Sequence, residues 1–244
     1  MLTGDLSFCK DASSGAWIDP LLGGEFGAVS LQVPNCFPAY ARICHPAKDV
    51  DGLPVDWVTV ASATGRTPHA LMQWHALVGS PDPFNFTGSL WPGQEPDLGN
   101  LESDQLIALC DVLNAHSADV SRCFVGIWVG WGWAGLAGSH EQLRRPGREY
   151  FLLEGPLSAA GDVANEGWNT HSPNLLWPED RTWFVASEID FDSTLVGGTE
   201  DLIGAILGTP GLDAWPVGPT DSLAHDADKI NHVPPWSRPS QSEA

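Results

Sequence analysis

Three acidic side chains recur at every second position of one short stretch: Glu188, Asp190 and Asp192 in ASEIDFDSTLVGGTEDL, Ala186 to Leu202. If WFVASEIDFD is a strand, alternation puts Phe184, Ala186, Glu188, Asp190 and Asp192 on one face and Trp183, Val185, Ser187, Ile189 and Phe191 on the other. Same-face neighbours then stand about 6.7 Å apart. Two carboxylates at that separation repel by roughly 2.5 kcal/mol at an effective dielectric of about 20, but by only about 0.6 kcal/mol in water. A buried face would therefore need a metal ion or an arginine, whereas a wet strand end needs neither.

The metal alternative rests on Asp190-Phe191-Asp192, an Asp-x-Asp after an apolar strand, for which Mg²⁺ or Mn²⁺ would be the ion. In that case Glu188 is a further ligand or general base. Gly197, Gly198 and Thr199 follow at a helix start, where backbone amides can cradle phosphate. The plainer alternative is a solvated strand end, or carboxylates paired with arginine, with Arg42 and Arg181 as the candidate partners. Both alternatives stay open from the sequence.

Other chemistry-bearing patterns are weaker. Gly130-Trp131-Gly132-Trp133-Ala134-Gly135 satisfies G-x-G-x-x-G, but Gly138, Pro146 and Gly147 leave room for at most a short helix, so no dinucleotide site is assigned. His45, His69, His75 and His171 include no pair at i, i+4, and Cys9, Cys36, Cys44, Cys110 and Cys123 include no C-x-x-C. The G-x-S-x-G, Walker and H-E-x-x-H signatures are absent. No cofactor is therefore assigned. Trp91 in SLWPGQ and Trp177 in NLLWPED sit among turn formers, where an aromatic ring is a candidate partner contact.

These residues need a scaffold, and the pattern predicts an α+β one: a central mixed or antiparallel sheet with helices on one side and long surface loops. Strands are expected at Phe37–Cys44, Cys123–Val129, Arg148–Gly155 and Arg181–Asp190, with a possible return to the sheet edge over Leu212–Val217. Helical spacing marks Val55–Ala63 and a short element in HALMQWHALV. A longer helix, capped by Asn100 or Ser103, should run to His116, and another, capped by Thr199, should close at Gly208. The turn-dense run from Gly79 to Asn100 is a surface excursion. Residues 1–217 read as a single domain and 218–244 as an extended polar, Pro-rich tail.

Composition narrows the partners. The chain has 244 residues with 31 acids against 11 bases, a formal charge of −20. Such a field repels nucleic acid and anionic membrane surfaces and attracts a basic protein face. Neither an export signal nor a membrane span is evident, so a cytoplasmic setting is expected.

The segments VPNCFPAYARICHP, CFVGIWVGWGW, PGREYFLLEGPL and SPNLLWPEDRTWFVASEIDFDSTLVGGTEDLI together resemble an uncharacterised family of actinobacterial proteins, over about Trp17 to Ile230. Pro173 to Gly198 is the most specific part. That family carries no activity to transfer. The order of elements is also similar, at the level of fold, to the SUKH immunity proteins, which are acidic and bind toxins. The first functional expectation is accordingly a non-enzymatic acidic binding protein, immunity- or regulator-like, that docks on another protein. The alternative is a metal-dependent enzyme acting on a nucleotide-linked or phosphorylated small molecule through Glu188, Asp190 and Asp192.

Overall fold

A computed structural model describes residues 5–86, 88–132, 141–145, 147–163, 171–231 and 233. Its strands are β1 (Ser7–Phe8), β2 (Ala39–Cys44), β3 (Ala47–Lys48), β4 (Pro54–Val55), β5 (Cys123–Trp128), β6 (Gln142–Arg145), β7 (Arg148–Gly155), β8 (Leu175–Pro178), β9 (Phe184–Ser187), β10 (Ser193–Gly198) and β11 (Asp213–Val217). Its helices are α1 (Val29–Gln32), α2 (Trp57–Thr64), α3 (Trp74–Leu77), α4 (Ser103–Ala115) and α5 (Glu200–Leu207). Nine strands form one antiparallel sheet in the order β1-β7-β5-β8-β9-β10-β2-β11, and β6 pairs with β7. The small strands β3 and β4 form a separate pair. The fold is thus α+β with an antiparallel sheet.

Both faces of the sheet are covered, so its central strands read as nearly unbroken apolar runs. Val125 and Ile127 of β5, Leu153 of β7, Val185 of β9 and Val196 of β10 meet Leu106, Leu109 and Leu113 of α4 and Leu202, Ile203 and Ile206 of α5. Thr199 starts α5 by accepting a hydrogen bond from Leu202 N at 3.2 Å, leaving Glu200 and Asp201 in the first turn, where the helix dipole favours anions. Asn100, expected as a helix cap, instead accepts from Ser172 N at 3.0 Å, and α4 starts without a side-chain cap.

The opposite face carries Phe124, Leu152, Leu175, Trp177, Phe184 and Leu195. An N-terminal segment with little regular structure covers it, inserting Ile18, Val29 and Val33. Beside that cover, α2 and α3 build a third cluster around Trp57, Met72 and Trp74. Asp56 caps α2 by accepting from Thr59 N at 2.7 Å, and Gly65 ends it at φ 70°, a left-handed conformation that suits glycine.

Strand β9 ends at Ser187 rather than Asp190, because the chain turns there towards β10. The segment after Gly218 is packed rather than an extended tail as far as Asn231: Val29 N and Ser30 N donate to Asp221 O and Pro219 O, and Leu223 is buried. Asp228 fastens this segment by pairing with His69 at 2.9 Å, and Asn231 accepts from Thr67 N at 2.9 Å. No helix among the described residues is long and apolar enough to cross a membrane.

Candidate functional site

Glu188, Asp190 and Asp192 lie on the turn between β9 and β10, closed by Phe191 N donating to Glu188 O at 3.0 Å. Strand alternation therefore does not apply to them, and the turn divides the three carboxylates. Glu188 Oε1 accepts from Arg148 Nε at 2.9 Å and Nη2 at 2.7 Å, and Asp190 Oδ2 accepts from the same Nη2 at 2.6 Å. Asp192 Oδ1 instead accepts from Arg42 Nη2 at 3.2 Å.

Arg42 is fully buried and well supplied with partners. It donates to Ser193 Oγ and to the carbonyls of Ala70 and Met72, and it lies 5.2 Å from the centre of a Trp57 ring. Desolvation still outweighs that guanidinium at Asp192, and burial pushes its carboxyl above the usual range. Arg181, the other expected partner, stands over Trp17 at 5.2 Å instead. Arg148 was not legible as the partner because no local pattern relates the start of β7 to the turn after β9. The run Arg145-Pro146-Gly147-Arg148 signals a hairpin, since Gly147 at φ 75° turns the chain and the register sets Arg145 opposite Arg148, but only the order of strands in the sheet brings Arg148 to Glu188.

Among the described residues no group of three or more His, Cys, Asp and Glu side chains is placed to hold a metal ion. Gly197 and Gly198 are buried within β10 rather than presented to a phosphate. A Cβ on Gly197 would come within 2.5 Å of Phe37, and one on Gly198 within 2.7 Å of Leu202, so both glycines make room for packing. Thr199 spends its hydroxyl on its own helix. Gly130 also relieves crowding, since a Cβ there would meet the Trp128 ring at 2.1 Å. Trp133, Ala134 and Gly135 of that motif lie outside the described residues.

Beneath the turn, His45 Nδ1 is 2.7 Å from Asp97 O and Nε2 is 2.9 Å from Thr194 Oγ1. A carbonyl only accepts, so Nδ1 carries the proton and Thr194 donates to Nε2. Ser187 then donates to Thr194 Oγ1 at 2.7 Å. Burial holds the His45 pKa at about 4, which keeps the ring neutral and this chain intact.

The same turn separates two hollows. On one side a cleft of about 500 Å³ lies between the sheet and the N-terminal cover, with Gln32, Arg145, Arg148, Tyr150 and Glu188 in its wall. On the other side a groove of about 700 Å³ is lined by Trp74, Phe84, Phe86 and Leu98 and by the carboxylate residues Glu95, Asp97, Asp190 and Asp192. Phe26 and Phe191 stand between them with ring centres 6.4 Å apart.

No family model, curated protein or solved structure matches this chain.

No lysine or arginine lines the larger groove among the described residues; its histidines are His75 and His225. Phe26 and Phe84, 76% and 81% exposed, project at its rim. Trp91 borders an adjoining hollow with Phe84, Phe86 and Glu95, its indole N–H donating to Lys48 O at 3.1 Å. Trp177, expected as a contact aromatic, is 0% exposed. It stacks between Phe124 and Phe184 at 5.4 and 5.7 Å, because LLWP is a core strand and not part of a surface turn.

Proposed function

We propose that this chain is a non-enzymatic binding protein that docks on a basic face of another protein, in an immunity- or regulator-like role. The observation that carries the proposal is the larger groove: four carboxylate residues and a wall of aromatic rings, with no lysine or arginine among its described lining residues. Charge and shape there favour the same guest. Acidic side chains in a concavity focus the field of a chain carrying −20 and speed the encounter with a cation. An arginine entering it can stack on Phe84, 81% exposed, a contact contributing about 0.5–1 kcal/mol at an exposed site and more when desolvated.

The carboxylates differ in their availability. Asp190 and Asp192 already hold Arg148 and Arg42, and Asp97 lies 3.6 Å from Lys48. Glu95 has no ion pair among the described residues, so it is the first anchor for an incoming cation. Exposed Phe26, Phe84 and Leu98 add apolar area around it, as expected of an interaction surface. Five unpaired cysteines support a reducing, cytoplasmic setting.

The test is calorimetric titration with an arginine-rich peptide at low and physiological salt, using two double variants. Phe84→Ala with Phe86→Ala keeps the charge; Glu95→Gln with Asp97→Asn keeps the shape. The proposal expects both variants to weaken binding. Equal binding by all three proteins would reduce the interaction to non-specific attraction, and no binding by the wild type would reject the proposal.

A further inference from the structure

We infer that the smaller cleft, between the sheet and the N-terminal cover, binds a zwitterionic small molecule with an apolar body, of the α-amino acid or dipeptide class. Its wall holds polar groups that the fold leaves unpartnered. The Arg145 side chain is 9% exposed, and its Nε donates to Asp19 Oδ1 at 3.1 Å. Among the described residues its Nη1 and Nη2 form no hydrogen bond. That planar pair of donors matches a carboxylate in two-point contact.

Opposite charge is available in the same wall. Glu188 engages Arg148 through Oε1 alone, and Asp190 through Oδ2 alone. Glu188 Oε2 and Asp190 Oδ1 can therefore accept from an ammonium group.

Gln32 provides an independent sign of a missing guest. It is 7% exposed, and neither atom of its amide has a partner. Buried amides are nearly always satisfied, and a bound polar molecule would relieve this one after a small adjustment of the wall. Tyr150, also in the wall, carries a phenol O–H that can donate, and burial pushes its pKa up further from the ordinary 10, to about 12. Leu22, Leu31, Leu175 and Ala186 supply an apolar lining, and a volume of about 500 Å³ lies in the usual range of roughly 300–1,000 Å³ for small-molecule sites.

Charge decides the class. A simple carboxylate is opposed by Asp19, Glu188 and Asp190, and a simple cation meets Arg145 and Arg148. An uncharged guest leaves the Arg145 fork empty. A zwitterion answers both signs, and the apolar lining takes its side chains.

This site does not depend on the docking groove. Arg145, Gln32 and Tyr150 line the cleft and not the groove, although Phe26, Asp190 and Phe191 border both. Small zwitterions and Arg145 variants therefore test it separately from arginine-rich peptides and Phe84 variants.

The experiment is calorimetric titration of the full chain with L-leucine, with leucyl-phenylalanine, and with the N-acetyl and C-terminal amide derivatives of the dipeptide. Saturable binding of either zwitterion is expected, weakened about tenfold or more by blocking either terminus. Whichever zwitterion binds more tightly identifies the free amino acid or the dipeptide as the source. Arg145→Met should abolish the preference for a free carboxylate over its amide, and Arg145→Lys should restore part of it. Gln32→Met should weaken binding without loss of folding. The inference is overturned if neither zwitterion binds at millimolar concentration, or if both blocked derivatives bind as tightly as the parent. Because the ligand series is measured on the wild type, misfolding of a variant would not rescue the idea.

Discussion

Arg148 grips Glu188 through two N–H groups directed at one carboxylate oxygen, Nε at 2.9 Å and Nη2 at 2.7 Å. The contact ties the start of β7 to the turn after β9, across the two intervening strands β5 and β8. It forms part of the cleft wall and holds one edge of the turn that separates cleft from groove.

Removing that tie should loosen the turn. Arg148→Met leaves Glu188, 19% exposed, without its partner, and is expected to destabilise the fold by about 1–3 kcal/mol, less than a fully buried pair because both side chains keep some contact with water. Arg148→Lys restores the charge but not the two-donor geometry, so it should recover only part of the loss. Urea unfolding of the three proteins measures both effects. Equal midpoints would show that the pair contributes nothing to stability.

The same pairing predicts indifference to divalent ions. Glu188 and Asp190 share a guanidinium and Asp192 faces another, so millimolar Mg²⁺ or Mn²⁺ should leave the thermal midpoint of the wild type unchanged. A site-bound ion would raise it by mass action. A saturable rise that disappears in Asp190→Asn with Asp192→Asn would restore the metal-dependent alternative.

Stability should fall as the pH drops through the histidine range. His45 is held at about 4, from an ordinary 6.5, chiefly by burial; Arg42 and His171 lower it further, while the Asp97 carbonyl and carboxylate act the other way. Its folded pKa lies below its unfolded one, so this contribution is fully present above about 6.5 and is lost as the pH falls towards 4. The difference is worth on the order of 3 kcal/mol. Burial lowers the pKa of His75 and His171 too, adding in the same sense. Asp192 and Asp213, raised by burial, act in the opposite sense at the acid end. The stability gap between wild type and His45→Gln, followed by urea unfolding from about pH 7 to about pH 4, should therefore narrow. A constant gap would contradict a buried neutral His45.

Trp177 should behave as core. Trp177→Ala is expected to cost about 3–5 kcal/mol. Trp177→Phe should cost much less, since the Trp177 indole N–H has no hydrogen-bond partner to lose. Thermal unfolding distinguishes this from an exposed contact residue, for which both substitutions would be nearly neutral.

Local pattern was enough for much of the scaffold. REYFLLEG coincides with β7, and Thr199 and Gly208 bracket α5 as their types suggest. Such features depend on residues within one turn or one strand. The site depends on distant pairings: Arg148 reaches Glu188 across β5 and β8 only because the sheet order brings β7 and β9 into one sheet, and Arg42 reaches Asp192 only because β2 pairs with β10. The alternation of Glu188, Asp190 and Asp192 was misleading because a turn at Ser187 interrupts the strand period. Trp177 was misplaced for the opposite reason: Pro178 and acidic residues after it suggested a surface turn, while β5 and β9 flank it on both sides.

The proposed docking function is tested most directly by nuclear magnetic resonance of the isotope-labelled protein titrated with an arginine-rich peptide. The indole N–H signals of Trp74 and Trp91 and the backbone amides around Phe84 to Leu98 should shift together and saturate, and Phe84→Ala with Phe86→Ala should move that saturation to higher peptide concentration. Shifts scattered over the acidic surface, or none in the groove, would contradict the proposed function.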